Sequence, residues 1–125
     1  MPSHQNQVKK NNEYRIVLAA LFIGPRLIDH RNEINELKQL INTLGGTVID
    51  SVVQYRKNID SKYYIGKGKL QSILDFSLEN NCKYIVFNNE LSPSHIKNIQ
   101  KYFKDKVMVK DRTGIILDIF NKHAK

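Results

Sequence analysis

"RIVLAALFI", residues 15–23, is the stretch on which the fold turns: from Ile16 to Ile23 every side chain is apolar. A strand with one wet face alternates apolar and polar residues. An unbroken run reads instead as a strand covered on both faces, as in a parallel sheet between helices. The run is well short of the roughly 18–20 residues needed to cross a bilayer. Downstream, "NEINELKQLINTLGG" (32–46) sets Ile34, Leu37, Ile41 and Leu44 at helical spacing and stops on Gly45-Gly46. "TVIDSVVQYR" (47–56) is β-branched and extended. "KLQSILDFSLENN" (69–81) places Leu70, Ile73, Leu74 and Leu78 on one face of a second helix.

"KYIVFN" (83–88) reads as a third strand, and "SPSHIKNIQKYFK" (92–104) as a helix with Ser92 as N-cap and Pro93 in its first turn. Ile96, Ile99 and Phe103 form its expected buried stripe. "KVMVKD" (106–111) and "GIILDIFNKHAK" (114–125) complete the pattern as strand and helix. Such alternation predicts an α/β fold: a small doubly wound domain with a four-stranded, mainly parallel sheet flanked by helices. Right-handed crossovers give strand order 2-1-3-4. Polar, aperiodic residues 1–13 are expected to form a disordered tail, leaving 14–125 as one domain large enough to bury its own core.

Fifteen lysines and five arginines give a net charge of +8 and a pI near 9.6, which suits a polyanionic partner. A lysine-, asparagine- and isoleucine-rich composition also scatters charge without purpose, so the positions matter more than the total. Cys82 is the one cysteine, which excludes an internal disulfide, and its apolar setting reads as a buried, inert thiol. The N-terminus lacks an apolar leader, so the expectation is a cytoplasmic chain without membrane contact.

In a parallel sheet, ligands meet the loops beyond the carboxyl ends of the strands. Those loops carry Gly24-Pro25-Arg26, then Arg56-Lys57 leading to "YIGKGK" (64–69), then Asn88-Asn89-Glu90, then "KDRTG" (110–114). Lys97, Lys101 and Lys104 add a basic stripe on the third helix. "YIGKGK" is no P-loop: with Gly68-Lys69 in place, Tyr63 stands where the first glycine belongs, and Leu70 follows the lysine. It is no dinucleotide fingerprint either, because Gln71 occupies the third glycine position. Asp111-Arg-Thr-Gly114 and Asn121-Lys122 match GTPase fragments only by chance without a P-loop. His4, His30, His95 and His123 have no partners at metal-ligand spacing, and no metal site is expected. Glu90 is the acid of the edge; it reads as ordering the turn into the Ser92-Pro93 helix more readily than as a general base.

"YYIGKGKL" (63–70), "FNNELSPSHIKNI" (87–99) and "VKDRTGIILDIF" (109–120), in this order, resemble the N-terminal domain of HflX-type GTPases, from about Arg15 to Ala124. The resemblance implies binding to the large ribosomal subunit and its rRNA, in proteins that split or rescue stalled ribosomes under stress. It also implies that GTP and magnesium belong to a separate domain, so no cofactor and no GTP hydrolysis are expected of this chain. The residues end where the resemblance places a helical connection to that domain, so the chain reads either as a piece or as a stand-alone domain. This sequence departs from the family pattern in having His95 for a glutamine and His123 for an arginine, and in lacking a proline between Arg56 and Gly66.

On this reading Arg26, Arg56, Lys57, Lys67, Lys69 and Arg112 neutralise phosphates, with Lys97, Lys101 and Lys104 as further RNA contacts. Tyr63 or Tyr64 stacks on a base. Gly66 and Gly68 admit the RNA backbone, or else serve a turn that needs a positive φ. Asn89, Glu90, Ser92, Pro93 and Asp111 are the remaining motif residues. The alternatives are an adenine-nucleotide-binding or hydrolysing domain acting through Glu90 or Asp111, and a regulatory module that meets a GTPase domain or partner through Ile116, Leu117 and Phe120. That last surface also allows a monomer with weak self-association.

Overall fold

The computed structural model describes residues 14–24 and 29–123; the expected tail at 1–13 and Arg26 lie outside the described residues. Four strands and four helices alternate: β1 (Arg15–Ile23), α1 (Arg31–Thr43), β2 (Thr47–Arg56), α2 (Lys67–Glu79), β3 (Tyr84–Phe87), α3 (Pro93–Phe103), β4 (Met108–Lys110) and α4 (Arg112–His123). The strands form one parallel sheet in the order β2-β1-β3-β4. This is the α/β architecture and strand order expected of the sequence. No helix of the described residues is long and apolar enough to cross a membrane.

β1 is the interior strand that its apolar run demands, buried from Ile16 through Phe22. Its side chains alternate between two cores. Val17 and Ala19 pack with α2 and α3, through residues such as Leu70, Ile73 and Phe103. Ile16, Leu18 and Ala20 pack on the other face with Leu37 and Ile41 of α1 and Ile115 and Ile119 of α4. Ile23, the last residue of the run, is an exception at 55% exposed. The β1–β2 register shifts between Ile16 and Val17, whose partners are Val48 and Asp50, so Ile49 is the extra residue of a bulge.

β3 pairs with β1 only from Ile16 to Ala19, and the ladder is then continued by side chains. The Asn88 N–H donates to the Ala19 carbonyl at 2.8 Å. The Asn89 amide then bonds Leu21 twice, with Oδ1 accepting from its N–H and Nδ2 donating to its carbonyl, both at 2.9 Å. Because Leu21 is 2% exposed, leaving its backbone groups unpaired would cost about 1–3 kcal/mol each.

α1 ends on bonds from the Gly45 and Gly46 N–H groups to the Asn42 and Ile41 carbonyls. Gly45 takes the left-handed φ of +102°, and a Cβ on Gly46 would sit 2.6 Å from Ile41 Cγ2. The helix stop expected from the glycine pair therefore has both a conformational and a steric cause. Cys82 is a buried free thiol, and burial pushes its pKa up. On α4, Leu117 and Phe120 point outward at 53% and 58% exposure.

One core assignment needs correction. Leu78 is 42% exposed, and Ser77 occupies the buried position, its Oγ donating to the Ile73 carbonyl at 2.8 Å. At 100° per residue, Leu70, Ile73, Leu74 and Ser77 share one stripe, while Leu78 falls roughly 90° from its centre. The two leucines should therefore respond differently to truncation. Leu74→Ala is expected to cost about 2–5 kcal/mol and Leu78→Ala less than about 1 kcal/mol, read from urea midpoints at constant slope. Equal losses would contradict this helix orientation.

Candidate nucleic-acid interface

The loop from β2 to α2 is organised by Asp60, whose Oδ2 accepts from the Lys62 and Tyr63 N–H groups at 3.0 and 2.7 Å. Its backbone pairs in both directions with Tyr64, which closes the turn at φ +66°. The left-handed residue is thus Tyr64 and neither motif glycine. Gly66 lies at φ −61°, ψ 141° as the N-cap of α2. What Gly66 supplies is space: a Cβ there would meet Gln54 Nε2 at 3.1 Å and Arg56 Nη1 at 3.2 Å. Its N–H is held by Gln54 Oε1 at 2.9 Å and is not available to a phosphate. A Cβ on Gly68 would have open space around it.

α2 therefore starts two residues before the expected Lys69, and Lys67 and Gly68 belong to its first turn. That turn has no side-chain cap and no acid. The N–H groups of Lys67, Gly68 and Lys69 find no acceptor among the described residues. A bare helix N-terminus carries roughly half a positive charge, to which Lys67, Lys69 and the neighbouring Arg56 add whole ones. Lys57 and Lys67 are exposed, while Arg56 and Lys69 are half-buried.

The other two described loops are tied together by their polar residues. Arg112 Nη1 donates to the buried Asn88 Oδ1 at 2.7 Å. Thr113 Oγ1 donates to Glu90 Oε1 at 2.6 Å. Asp111 accepts from the Gly114 N–H at 2.9 Å, capping α4, and from the Leu91 N–H at 3.2 Å. α4 accordingly begins at Arg112, two residues before the expected Gly114. Both acids that a nucleotide-hydrolysing site would call on are engaged in holding loops.

Ser92 caps α3 as expected, with Oγ accepting from the His95 N–H at 3.1 Å and Pro93 following it. The Tyr64 ring packs edge-on against Phe87 and His95, and burial raises its phenol pKa. Tyr64 is therefore a packing residue, and Tyr63 is the one that turns toward α3, edge-on to Tyr102 at 5.3 Å. The lysine stripe divides. Lys97 borders a shallow depression with Leu91, Pro93 and Ile96, Lys104 lines a groove shared with α2, and Lys101 borders both.

Among the described residues the ion pairs are His30–Glu33 and Asp29–Arg31, both at the start of α1, so no edge cation is neutralised by one. Sequence reasoning passed over Gln54 and Asp60. An aspartate opening a tight polar turn, as in "NIDSKYY" (58–64), is the signal that points to the second.

The description "GTP-binding GTPase N-terminal" belongs to the family model that matches residues 31–121. The chain belongs to this family, as the N-terminal region of an HflX-type protein. The GTPase HflX of Lacrimispora saccharolytica is 38% identical over 115 residues, covering 92% of this chain and 26% of that protein. GTPase HflX of Caldanaerobacter subterraneus is 37% identical, over 89% of this chain and 25% of its own length. The chain thus spans about a quarter of the length of these curated relatives. A crystal structure of a GTP-binding protein from Sulfolobus solfataricus in complex with GDP superposes with a TM-score of 0.58 at 28% identity, covering 86% of this chain and 31% of that one.

In this HflX-type domain the Asp60 carboxyl is held below its ordinary value, first by the Tyr63 N–H, then by the Lys62 N–H and the charge of Arg56. A depressed folded-state pKa contributes stability above the unfolded value, and that contribution is lost as pH falls through the folded value. Asp60→Asn is expected to destabilise the domain at pH 7, with the gap to wild type closing as pH drops below about 3.8. Urea midpoints of both proteins across the acid range check this. A gap unchanged with pH would show that the carboxylate charge does not hold the loop.

Proposed function

We propose that this HflX-type domain docks on the rRNA of the large ribosomal subunit through the strand-end edge described above. The observation that carries the reading is the uncapped, acid-free start of α2 beside Arg56, Lys67 and Lys69, cations that no ion pair among the described residues neutralises. Phosphate is the ligand that such an arrangement suits: backbone N–H groups and a helix dipole on one side, flexible cations on the other. Arg56, Lys57, Lys67 and Lys69 are the contacts. Arg112 joins them through whatever donors its bond to Asn88 leaves over. Asn88, Asn89, Glu90, Ser92 and Asp111 hold the loops in register and do not themselves grip RNA. In this account the chain hydrolyses no GTP, and its contribution to an HflX-type protein is placement on the ribosome.

Neutralising several phosphates makes affinity fall steeply with salt. Co-sedimentation with purified large subunits is therefore expected to weaken by at least about tenfold between roughly 50 and 200 mM salt. Arg56→Glu/Lys67→Glu should abolish it at the higher salt while leaving the circular dichroism spectrum unchanged. Binding that survives the double substitution would place the contact elsewhere.

A further inference from the structure

We propose that the groove between α2 and α3 is a track for single-stranded RNA, a second surface that continues from the edge. This rests on the RNA-docking reading and extends it. The groove is open, about 500 Å³ in volume, and starts at the β2–α2 loop with Lys62 and Tyr63. Lys101, Lys104 and Lys106 line it as well, and among the described residues no carboxylate does. The Tyr63 and Tyr102 rings meet edge-to-face within it.

Its walls are held in place from both sides. Asn98 Nδ2 donates to the Lys62 carbonyl at 3.1 Å, and the Tyr102 hydroxyl donates to Gln71 Oε1. Asp75 accepts from Gln71 Nε2 on the α2 side without lining the groove. Lys62 Nζ lies 5.3 Å from the centre of the Tyr63 ring, a cation over an aromatic face. At the end of α3, Lys104 and Asp105 both take left-handed conformations, at φ 53° and 59°. Across this double turn Lys104 and Lys106 line the groove, whereas Asp105 borders the depression on the other flank of α3. Left-handed non-glycine residues are uncommon, and here a pair of them separates one acid from two lysines.

Lysines interleaved with half-buried tyrosines in an open concavity suit a polymer that presents phosphates and flat bases by turns. Any base can stack on a tyrosine, and such contacts are worth about 1–3 kcal/mol each. A hollow in the size range of a single small-ligand pocket holds one or two nucleotides of a strand at a time.

Fluorescence anisotropy of a labelled oligouridylate of about ten residues, titrated with the intact chain, tests the proposal. Lys101→Glu/Lys104→Glu is expected to weaken binding at least tenfold and to reduce the salt slope by about one unit or more. Tyr63→Leu should weaken it roughly fivefold or more without changing that slope. Lys38→Glu/Lys83→Glu, the same change of charge at exposed positions outside both surfaces, should leave oligomer affinity within about threefold of wild type. No binding by the wild-type chain, unchanged binding by the groove variant, or a loss confined to Arg56→Glu/Lys67→Glu overturns the groove. So does capture by phosphatidylserine vesicles or a phosphoserine peptide that the groove variant abolishes while the oligomer stays free. The edge reading fails by a separate readout, large-subunit co-sedimentation that survives the edge substitutions, so the two failures are distinguishable.

Discussion

Burying β1 on both faces constrains everything else in this domain. Each large apolar side chain of the run contributes about 1.5–3 kcal/mol only if water is excluded from it. Exclusion on both sides requires helices above and below, which in turn requires crossovers between parallel strands. α1 and α4 cover one face, and α2 and α3 the other. Parallel strands place every strand-to-helix loop at the same end of the sheet. Arg56, Lys67, Asn88 and Arg112, far apart along the chain, come to one edge of the sheet because of that geometry.

The edge divides its polar residues by task. Its acids bond the protein's own groups: half-buried Asp60 and Asp111 accept from backbone N–H groups, and exposed Glu90 accepts from the Thr113 hydroxyl. With the acids engaged in shaping the loops, Lys57, Lys67 and Lys69 form no ion pair among the described residues. The α2–α3 groove follows the same rule, with Asp75 and Asp105 beside it and four lysines in it.

Much of this was legible in the residues. The unbroken β1 run, the Gly45-Gly46 stop and the Ser92-Pro93 start are local signals with local causes, and each element appears within about two residues of its expected bounds. Strand order follows from the handedness of crossovers. Features that depend on contact between distant segments were not legible. Hydropathy draws the α2 stripe toward Leu78, and the polar Ser77, which spacing centres better, is buried because its hydroxyl bonds the Ile73 carbonyl. Glycine is the usual holder of a positive φ, yet Asp60 accepting two N–H groups moves that conformation to Tyr64. The lysine stripe read from spacing ignores the double left-handed turn at Lys104 and Asp105, which brings Lys106 to the groove as well. The groove itself joins Lys62 to residues some forty positions later, which no periodicity in either segment records.

Directed hydroxyl-radical probing tests the central claim, that the basic edge lies against rRNA, most directly. An iron chelate tethered at Lys67→Cys, with buried Cys82 unreactive, would be placed on large subunits beside a control tether at Glu36→Cys on the exposed side of α1. The account predicts a discrete set of rRNA cleavages from position 67 and few or none from position 36. Equal cleavage from both positions, or none from 67 while the chain remains bound, would contradict it.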